Sequence, residues 1–509
     1  MTEASLGRKL HDRTGGATIG VIATIIAGGI AAAPFYAGTL APYLLFQTAC
    51  VLFAAAAFLR PVSYGFYALA IFFLLGFWLK LVGASFGADV LIEPLGDFTG
   101  SPESWDRGVL LAAAGLTGAT LPRLLLHVRS RVAGEECDEL RVPAWFARAR
   151  TAVWGLTGVL LAAGTLANWK FRFYAVGLQE LVILPFPFNA ALAWWYTVGV
   201  GIWLAALLEW ERRLNGNLRF SRWLLIPLAE AVVGTVVMLS RGFFLMKTLP
   251  YVLALGQTRI RRRLHVRPAA LAALLVMMIG GFALSLAAVS WLRVTIYPVS
   301  SGSVSMPETT PTEPRPPVRP SGRAGAGEFE RASRPSATEM REQMAELGRM
   351  VIGRWIGLEG VLVLSVVPGH GANLFRTGLV ENPSVGNSAL YQQLSRAPYS
   401  ARDGFIFLTV PGVVAVLAYS GSYVIVLLGM MLVTSLLLAT EAVSRRLFQN
   451  EFLCAVVGVA MANALAQMNF PYLTMVFFLE LWGTLIVLWL LSVAGTPGVS
   501  APGAQTRLD

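Results

Sequence analysis

Charged residues are scarce in this chain of 509 residues. Asp, Glu, Lys and Arg make up 14% of it, whereas soluble globular proteins contain about 25%. Hydrophobic residues make up 56%, and the mean hydropathy is +0.63. A soluble protein of this length needs a larger polar surface than so few charges supply. The composition therefore excludes a cytosolic enzyme, a fibrous protein and a disordered chain, and it predicts a polytopic membrane protein.

Several other features are missing. Three cysteines are too few for a disulfide framework. The chain has no Walker loop, no Gly-rich dinucleotide fingerprint and no His/Cys spacing typical of a metal site. We expect no cleaved signal peptide, because Arg8, Lys9 and Arg13 precede an apolar first span without a small-residue cleavage site. The net charge of +11 comes from arginines between apolar runs, which predicts membrane topology and no nucleic-acid partner.

Apolar runs long enough to cross a bilayer, about 20 residues, recur along the chain. A further apolar segment, 404–420, either crosses as well, giving 13 spans, or re-enters at Pro411-Gly412, giving 12. Only re-entry keeps Arg445 and Arg446 on the cytoplasmic side, as the positive-inside rule requires. We therefore predict an all-α membrane protein with 12 transmembrane helices, near residues 17–34, 38–59, 62–83, 108–126, 151–168, 189–209, 223–240, 242–258, 269–292, 421–441, 453–467 and 472–493.

The distribution of charge in the loops predicts the orientation. The N-terminus and three later short loops are rich in arginine and are expected in the cytoplasm, whereas loop 84–107 is acidic and is expected outside. The chain then divides into four regions, with both termini in the cytoplasm. These are nine spans in 1–292, a large outer loop at 293–420, three spans in 421–493 and a tail at 494–509.

The large loop has two parts of different composition. Residues 301–337 are rich in Pro, Ser, Gly and Arg and contain too few apolar residues to compensate for chain ordering, so we predict disorder there. A capping box at Ser336 and Glu339 marks the return of order. Apolar residues then recur at three- and four-residue spacing as far as Leu358, which predicts an amphipathic helix within a helical part at 338–403.

This loop contains the strongest candidates for chemistry. Of four histidines, topology places only His370 outside, between two glycines, where it is exposed and adjustable as a general base must be. Glu359, at the expected end of the amphipathic helix, is a second candidate for the base. A solvated loop histidine and a surface Arg–Glu network are the alternatives. The loop also has arginine without lysine, which favours bidentate contact with phosphate or carboxylate, although GC-rich codon usage gives the same bias.

Other candidates lie in shorter outer segments. Arg241 is at the tip of a tight turn between two spans, either as a ligand-binding group or as an interfacial arginine. Glu230 and Lys247 lie deeper, and ionisable groups at membrane depth need partners, so we expect Glu230 to pair with Lys247 or Lys80. In loop 169–188 the bases at 170 and 172 alternate with aromatic residues, which suits lipid phosphate or sugar stacking, or an aromatic belt.

Residues 150–495 resemble the bacterial O-antigen polymerase and O-antigen ligase superfamily. Three features carry the resemblance: Ser240-Arg241 at an outer hairpin, the arginine-rich loop 293–403, and the run from Phe405 through Tyr419-Ser420-Gly421-Ser422 into the tenth span. Members are integral membrane glycosyltransferases with about a dozen spans and one large periplasmic loop late in the chain. The resemblance implies a place in the bacterial inner membrane, with loop 293–420 in the periplasm.

The resemblance also implies a substrate and roles. Family members act on glycans carried by a polyprenyl pyrophosphate and need no metal or other cofactor; arginines near the leaving pyrophosphate stabilise its developing charge. Arg241, supported by Arg172, would bind pyrophosphate, Arg354 and Arg376 would orient glycan or phosphate, and His370 or Glu359 would activate the acceptor hydroxyl. The predicted catalytic residues are Arg241, His370, Glu359 and Arg354, and the predicted substrate-binding residues are Lys170, Arg172, Lys247, Arg376, Arg396, Tyr399 and Arg402.

Several functions stay open at this point. A polymerase extends another lipid-linked repeat unit, whereas a ligase transfers the glycan to lipid A–core, and we favour the polymerase, of O-antigen or exopolysaccharide. A metal-dependent transferase using polyprenyl-phosphate sugars should have acids in its first outer loop, which this chain lacks. A flippase for lipid-linked oligosaccharides should show internal repeats, and none is visible. The expected partners are the lipid-linked glycan, membrane lipids and a chain-length regulator protein.

Overall fold

The structure is a computed structural model in which every regular element of the described residues is a helix. It describes residues 3–59, 63–129, 142–174, 184–185, 187–215, 224–240, 242–256, 268–296, 355–382, 388–397 and 409–494. The predicted disordered stretch 301–337, the start of the helical part at 338–354 and the tail after 494 lie outside these ranges.

Sixteen helices are numbered here in chain order. Two of them contain a π-helical segment, at Leu74–Leu79 in α3 and at Trp195–Gly199 in α6. The helices are α1 Glu3–Ala32, α2 Leu40–Phe58, α3 Tyr64–Ser85, α4 Pro102–Arg129, α5 Ala144–Phe171, α6 Phe188–Leu214, α7 Leu225–Val237, α8 Phe243–Gly256, α9 Pro268–Ile296, α10 Leu358–Val366, α11 Ala372–Val380, α12 Leu390–Leu394, α13 Val413–Ala418, α14 Tyr423–Phe448, α15 Glu451–Ala466 and α16 Pro471–Val493.

Nine of the described helices are long and apolar enough to cross a membrane: α1 to α6, α9, α14 and α16. Three more, α7, α8 and α15, are apolar but have only 13, 14 and 16 residues. At 1.5 Å per residue these are about 20 to 24 Å long, somewhat less than the hydrocarbon thickness of about 30 Å. The protein is therefore an all-α, multi-pass membrane protein, as the composition predicts.

The π-helical segment of α3 receives the chain that leads into α10. A side chain at Gly76 would place its Cβ 2.1 Å from the carbonyl oxygen of Ile356, so only glycine allows this approach. The extra residue of a π-bulge interrupts the regular helix surface, and such bulges are frequent at functional sites. Helix α10 then begins at Leu358 and is buried along its whole length up to Ser365. Glu359 thus lies in the first turn of a helix, contrary to our expectation that it ends one.

Segment 404–420 contains only a short helix in its described part. Helix α13 has six residues, or about 9 Å at 1.5 Å per residue, which is too short to cross a bilayer. Before it, the backbone N–H of Gly412 donates to the carbonyl of Met468 at 3.0 Å. A Cβ on Gly360 would lie 2.2 Å from the carbonyl oxygen of Pro411, so α10 and the start of α13 pack backbone to backbone.

Helix α14 runs from one end of the helix bundle to the other, packed against α4. The two helices pack closely, since a Cβ on Gly118 would lie 2.3 Å from the carbonyl oxygen of Leu427. Tyr423 begins α14 beside the loop that contains His370, and Glu441 lies 18 residues later, about 27 Å along the helix. We refer to these two ends as the His370 end and the Glu441 end.

Candidate functional site

His370 lies on the loop between α10 and α11 and packs against the loop that precedes α14. The backbone N–H of Gly371 donates to the carbonyl of Tyr419 at 3.3 Å. Gly421 has a φ of +69°, and a Cβ there would lie 2.6 Å from the Cβ of His370. The positive φ and the close contact both require glycine at position 421. The Tyr419-Ser420-Gly421-Ser422 run thus has a structural role in supporting His370.

The His370 side chain is partly buried, in contrast to the freely exposed histidine that we expected. Burial lowers its pKa, the nearby Arg107 lowers it further, and a hydrogen bond with the backbone of Leu364 opposes these effects. Its Nδ1 is buried and has no hydrogen-bond partner among the described residues. A neutral imidazole has one ring nitrogen that accepts a proton. The lowered pKa favours the neutral imidazole, and Nδ1 is an unsatisfied position as far as the described residues go.

Arg107 brings a cation to this site. It lies in α4, where its guanidinium Nη1 donates to the carbonyl of Ser365 at 3.4 Å and its Nη2 is 3.6 Å from a carboxylate oxygen of Glu103. The Arg107 side chain is 56% exposed. Tyr423, also exposed, is close enough for an electrostatic interaction with Arg107. The guanidinium of Arg107 is thus within electrostatic range of both the imidazole of His370 and the phenol of Tyr423.

This arrangement can bind an anion and accept a proton. A guanidinium presents planar donors that match phosphate geometry, and a base of low pKa stays unprotonated near neutral pH. The sequence alone predicts His370 as a site residue but not Arg107, which lies at the end of the acidic loop 84–107. Arg107 follows a run of acidic residues and lies near the start of a spanning helix. This position in the sequence is the signal that could have identified it.

Glu359 occupies a different environment from His370. Its side chain is 4% exposed and forms an ion pair with Lys80, which is 1% exposed. Lys80 follows directly after the π-helical segment of α3, so the pair fastens α10 to α3 at the point where segment 355–357 docks. A buried carboxylate with a lysine partner stabilises a fold and is poorly placed to receive a proton from a substrate. Of the two predicted bases, only His370 has a ring nitrogen without a hydrogen-bond partner among the described residues.

Glu230 forms an ion pair with Lys247, as the sequence predicts. The partners lie on α7 and α8, and their side chains are 12% and 8% exposed. Gly234 makes room for them, because a Cβ there would lie 2.9 Å from Nζ of Lys247 and 3.2 Å from a carboxylate oxygen of Glu230. The ring of Phe243 lies 5.2 Å from the lysine Nζ. Lys247 is thus committed to an intramolecular partner.

The other predicted binding residues in the described ranges lie on elements other than the His370 loop. Arg396 pairs with Asp97 at 2.5 Å, with both side chains exposed. Arg376 is exposed on α11, which begins just after His370. Lys170 lies over the ring of Phe171 near the end of α5, and Arg172 ends that helix with a left-handed φ of 47°. Four further predicted residues, Arg241, Arg354, Tyr399 and Arg402, lie outside the described residues.

Comparison of the chain with models of known protein families, with curated proteins and with solved structures gives no match.

Proposed function

We propose that this protein is a membrane glycosyltransferase that polymerises glycan repeat units carried on a polyprenyl pyrophosphate. The observation that supports this function best is that His370, whose Nδ1 has no hydrogen-bond partner in the described part of the chain, lies within electrostatic range of the exposed guanidinium of Arg107. Transfer from a pyrophosphate leaving group needs both a base for the incoming hydroxyl and a cation for the departing oxygen.

The proposal includes a topology. Twelve helices cross the bacterial inner membrane, namely the nine long ones together with α7, α8 and α15, and both termini are cytoplasmic. Support comes from the charges: Arg445 and Arg446 lie in the last turn of α14 at the Glu441 end, whereas the acidic loop 86–101 lies at the other end. The positive-inside rule then places the His370 end on the periplasmic side.

The reaction follows from these placements. The acceptor sugar hydroxyl attacks the anomeric carbon of the donor glycan, and its proton passes to His370. The bond between that carbon and the pyrophosphate oxygen breaks, and its electron pair leaves with the pyrophosphate. Arg107 stabilises the charge that develops on this oxygen. Arg241 stays predicted as a second cation on the pyrophosphate.

Analysis of surface glycans from a deletion strain tests this function. The strain is complemented with the wild type, His370→Ala, Arg107→Ala or, as a matched control, Glu103→Gln, since Glu103 is exposed next to Arg107. Loss of a positioned base costs about 10²- to 10⁴-fold in rate, so we expect both site variants to leave single repeat units on their acceptor. The control should restore long polymer.

Other outcomes would contradict the proposal in different ways. Long polymer accumulating unattached on the lipid carrier would identify a ligase that transfers glycan to lipid A–core. An unchanged glycan profile in the deletion strain would exclude both transferases and favour the flippase. A normal profile with His370→Ala, in membranes that contain the variant, would exclude His370 as the base while leaving the overall function open.

A further inference from the structure

Helix α4 shows one narrow partly exposed strip along an otherwise buried surface. From position 108 to position 123, every residue of α4 is buried except four. The spacing of these four, at intervals of four, three and four residues, places them on one face of the helix, directly below Arg107. We call this face the α4 strip; it consists of Leu110, Ala114, Thr117 and Leu121.

Two of the helices that pack against α4, namely α2 and α14, form the sides of this strip. On one side Asp106 fastens α4 to the start of α2, accepting hydrogen bonds from the backbone N–H of Thr39 at 2.8 Å and from its hydroxyl at 2.6 Å. On the other side Gly118 packs against Leu427 of α14. Helices α2 and α14 both have apolar side chains that are more than half exposed. These are Leu44, Leu45 and Leu52 on α2 and Val424, Leu428 and Leu432 on α14. The strip is therefore recessed between two apolar walls.

The head of the strip is charged. Arg107 lies one helical turn above Leu110 and is 56% exposed, and it interacts electrostatically with His370 and Tyr423. The strip itself runs about 17 Å from Leu110 to Leu121 at 1.5 Å per residue. A ligand that matches both parts has an anionic head and one long apolar chain. The surface of α5 also ends in cations, Lys170 and Arg172, whereas the head of the α4 strip combines a cation with the imidazole of His370.

We infer that the α4 strip binds the polyprenyl chain of the lipid-linked donor, with the pyrophosphate at Arg107 and the glycan beside His370. This inference rests on the proposed function and adds to it the route by which the donor enters, sideways from the bilayer between α2 and α14. Ala114, the smallest residue of the strip, makes space for the methyl branches of the isoprene units. Arg107 thus has two roles, since it fixes the headgroup of the bound lipid and stabilises the leaving group.

Filling the strip with a bulky side chain tests the inference. The purified full-length protein is titrated with undecaprenyl pyrophosphate and, separately, with phosphatidylglycerol, and bound lipid is counted by native mass spectrometry. The variant is Ala114→Trp and its matched control is Ala163→Trp, at an exposed position of α5. We expect Ala114→Trp to weaken binding of undecaprenyl pyrophosphate by about tenfold or more, which corresponds to about 1.4 kcal/mol, and the control to leave binding unchanged.

A second measurement avoids any dependence on a bulky substitution. A benzophenone amino acid placed at position 114 should crosslink to undecaprenyl pyrophosphate on illumination, and an excess of inorganic pyrophosphate should not prevent this. The same probe at position 163 should crosslink to bulk phospholipid instead. Equal crosslinking at both positions would overturn the inference.

The possible failures are distinguishable from one another. If wild-type protein binds undecaprenyl pyrophosphate no better than phosphatidylglycerol, the strip holds ordinary membrane lipid and the inference is wrong, whatever the glycan analysis shows. If Ala114→Trp binds the donor normally while the deletion strain loses its polymer, the function stands and the strip is not the donor site. If the donor binds in the strip but the deletion leaves glycans unchanged, the proposed reaction is wrong, and the strip is a binding site for the lipid carrier without that reaction.

Discussion

The His370 end and the Glu441 end of the bundle both contain charged groups, but they use them differently. At the Glu441 end the carboxylate of Glu441, 1% exposed, accepts hydrogen bonds from the Ser63 hydroxyl and from two backbone N–H groups at the start of α3, at 2.7, 2.9 and 2.9 Å. It also pairs with Arg445 at 3.1 Å. At the His370 end no described residue is a hydrogen-bond partner of the imidazole Nδ1, and the guanidinium of Arg107 is largely exposed.

The difference shows how charge can be interpreted in a membrane protein. A buried carboxylate that accepts several hydrogen bonds at a helix N-terminus satisfies orphan backbone donors and holds two helices together. A titratable group that has an atom without a hydrogen-bond partner, near an exposed cation, can still bind a ligand. Depth in the membrane alone therefore does not identify a functional group; the number of its partners does.

The largest expected effect in this comparison is on folding, at Glu441. Replacing it by alanine leaves Arg445 without its closest partner and removes the acceptor from the backbone N–H groups of Tyr64 and Gly65. Breaking a buried pair in this way costs about 3 to 5 kcal/mol. We expect Glu441→Ala to reduce the yield of monodisperse protein and to lower the thermal midpoint of what is recovered.

The control for Glu441→Ala is a change at an exposed carboxylate. Glu103→Gln changes a carboxylate that is 81% exposed and should leave yield and midpoint as in the wild type. Activity per folded molecule of Glu441→Ala should be close to normal. A variant that folds normally but has lost activity would show that the Glu441 end takes part in function, and the contrast between the two ends would be wrong.

The spans were predictable because crossing a bilayer demands a long apolar run, and such runs are local in sequence. The Glu230–Lys247 pair was also within reach, since its members are 17 residues apart on consecutive helices. The Lys80–Glu359 pair was not, because 279 residues separate its members and no local pattern encodes which distant helix a loop will dock on. For the same reason Arg107, 258 residues from Ser365, was missed although His370 was found.

A smaller net effect is expected from the Lys80–Glu359 pair when both members change together. Lys80→Met alone leaves the Glu359 carboxylate buried without its partner and should cost about 3 to 5 kcal/mol, whereas the double variant Lys80→Met/Glu359→Leu should recover most of that loss. Thermal midpoints of the two single variants and the double variant measure the coupling.

The same double variant decides between the two predicted bases. If Glu359 only fastens α10 to α3, the recovered double variant is active. If it folds with a normal midpoint but does not transfer glycan, Glu359 is the base, and the distinction drawn here between a paired buried group and an unpartnered one fails at this site.

The smallest effect is a change in pH dependence at His370. The base acts in its neutral form, and burial together with Arg107 lowers its pKa below the ordinary value of 6.5. The glycan transfer rate of membranes that contain the wild type should therefore be unchanged as pH falls to that value and should decline only below it.

Arg107→Gln removes a charge that lowers the pKa of His370, so the decline should begin at higher pH, in addition to any loss of rate. Glu103→Gln provides the control for altered surface charge. A rate that rises on acidification would mean that His370 works as a protonated donor, and an unshifted profile in Arg107→Gln would show that the guanidinium and the imidazole do not act at one site.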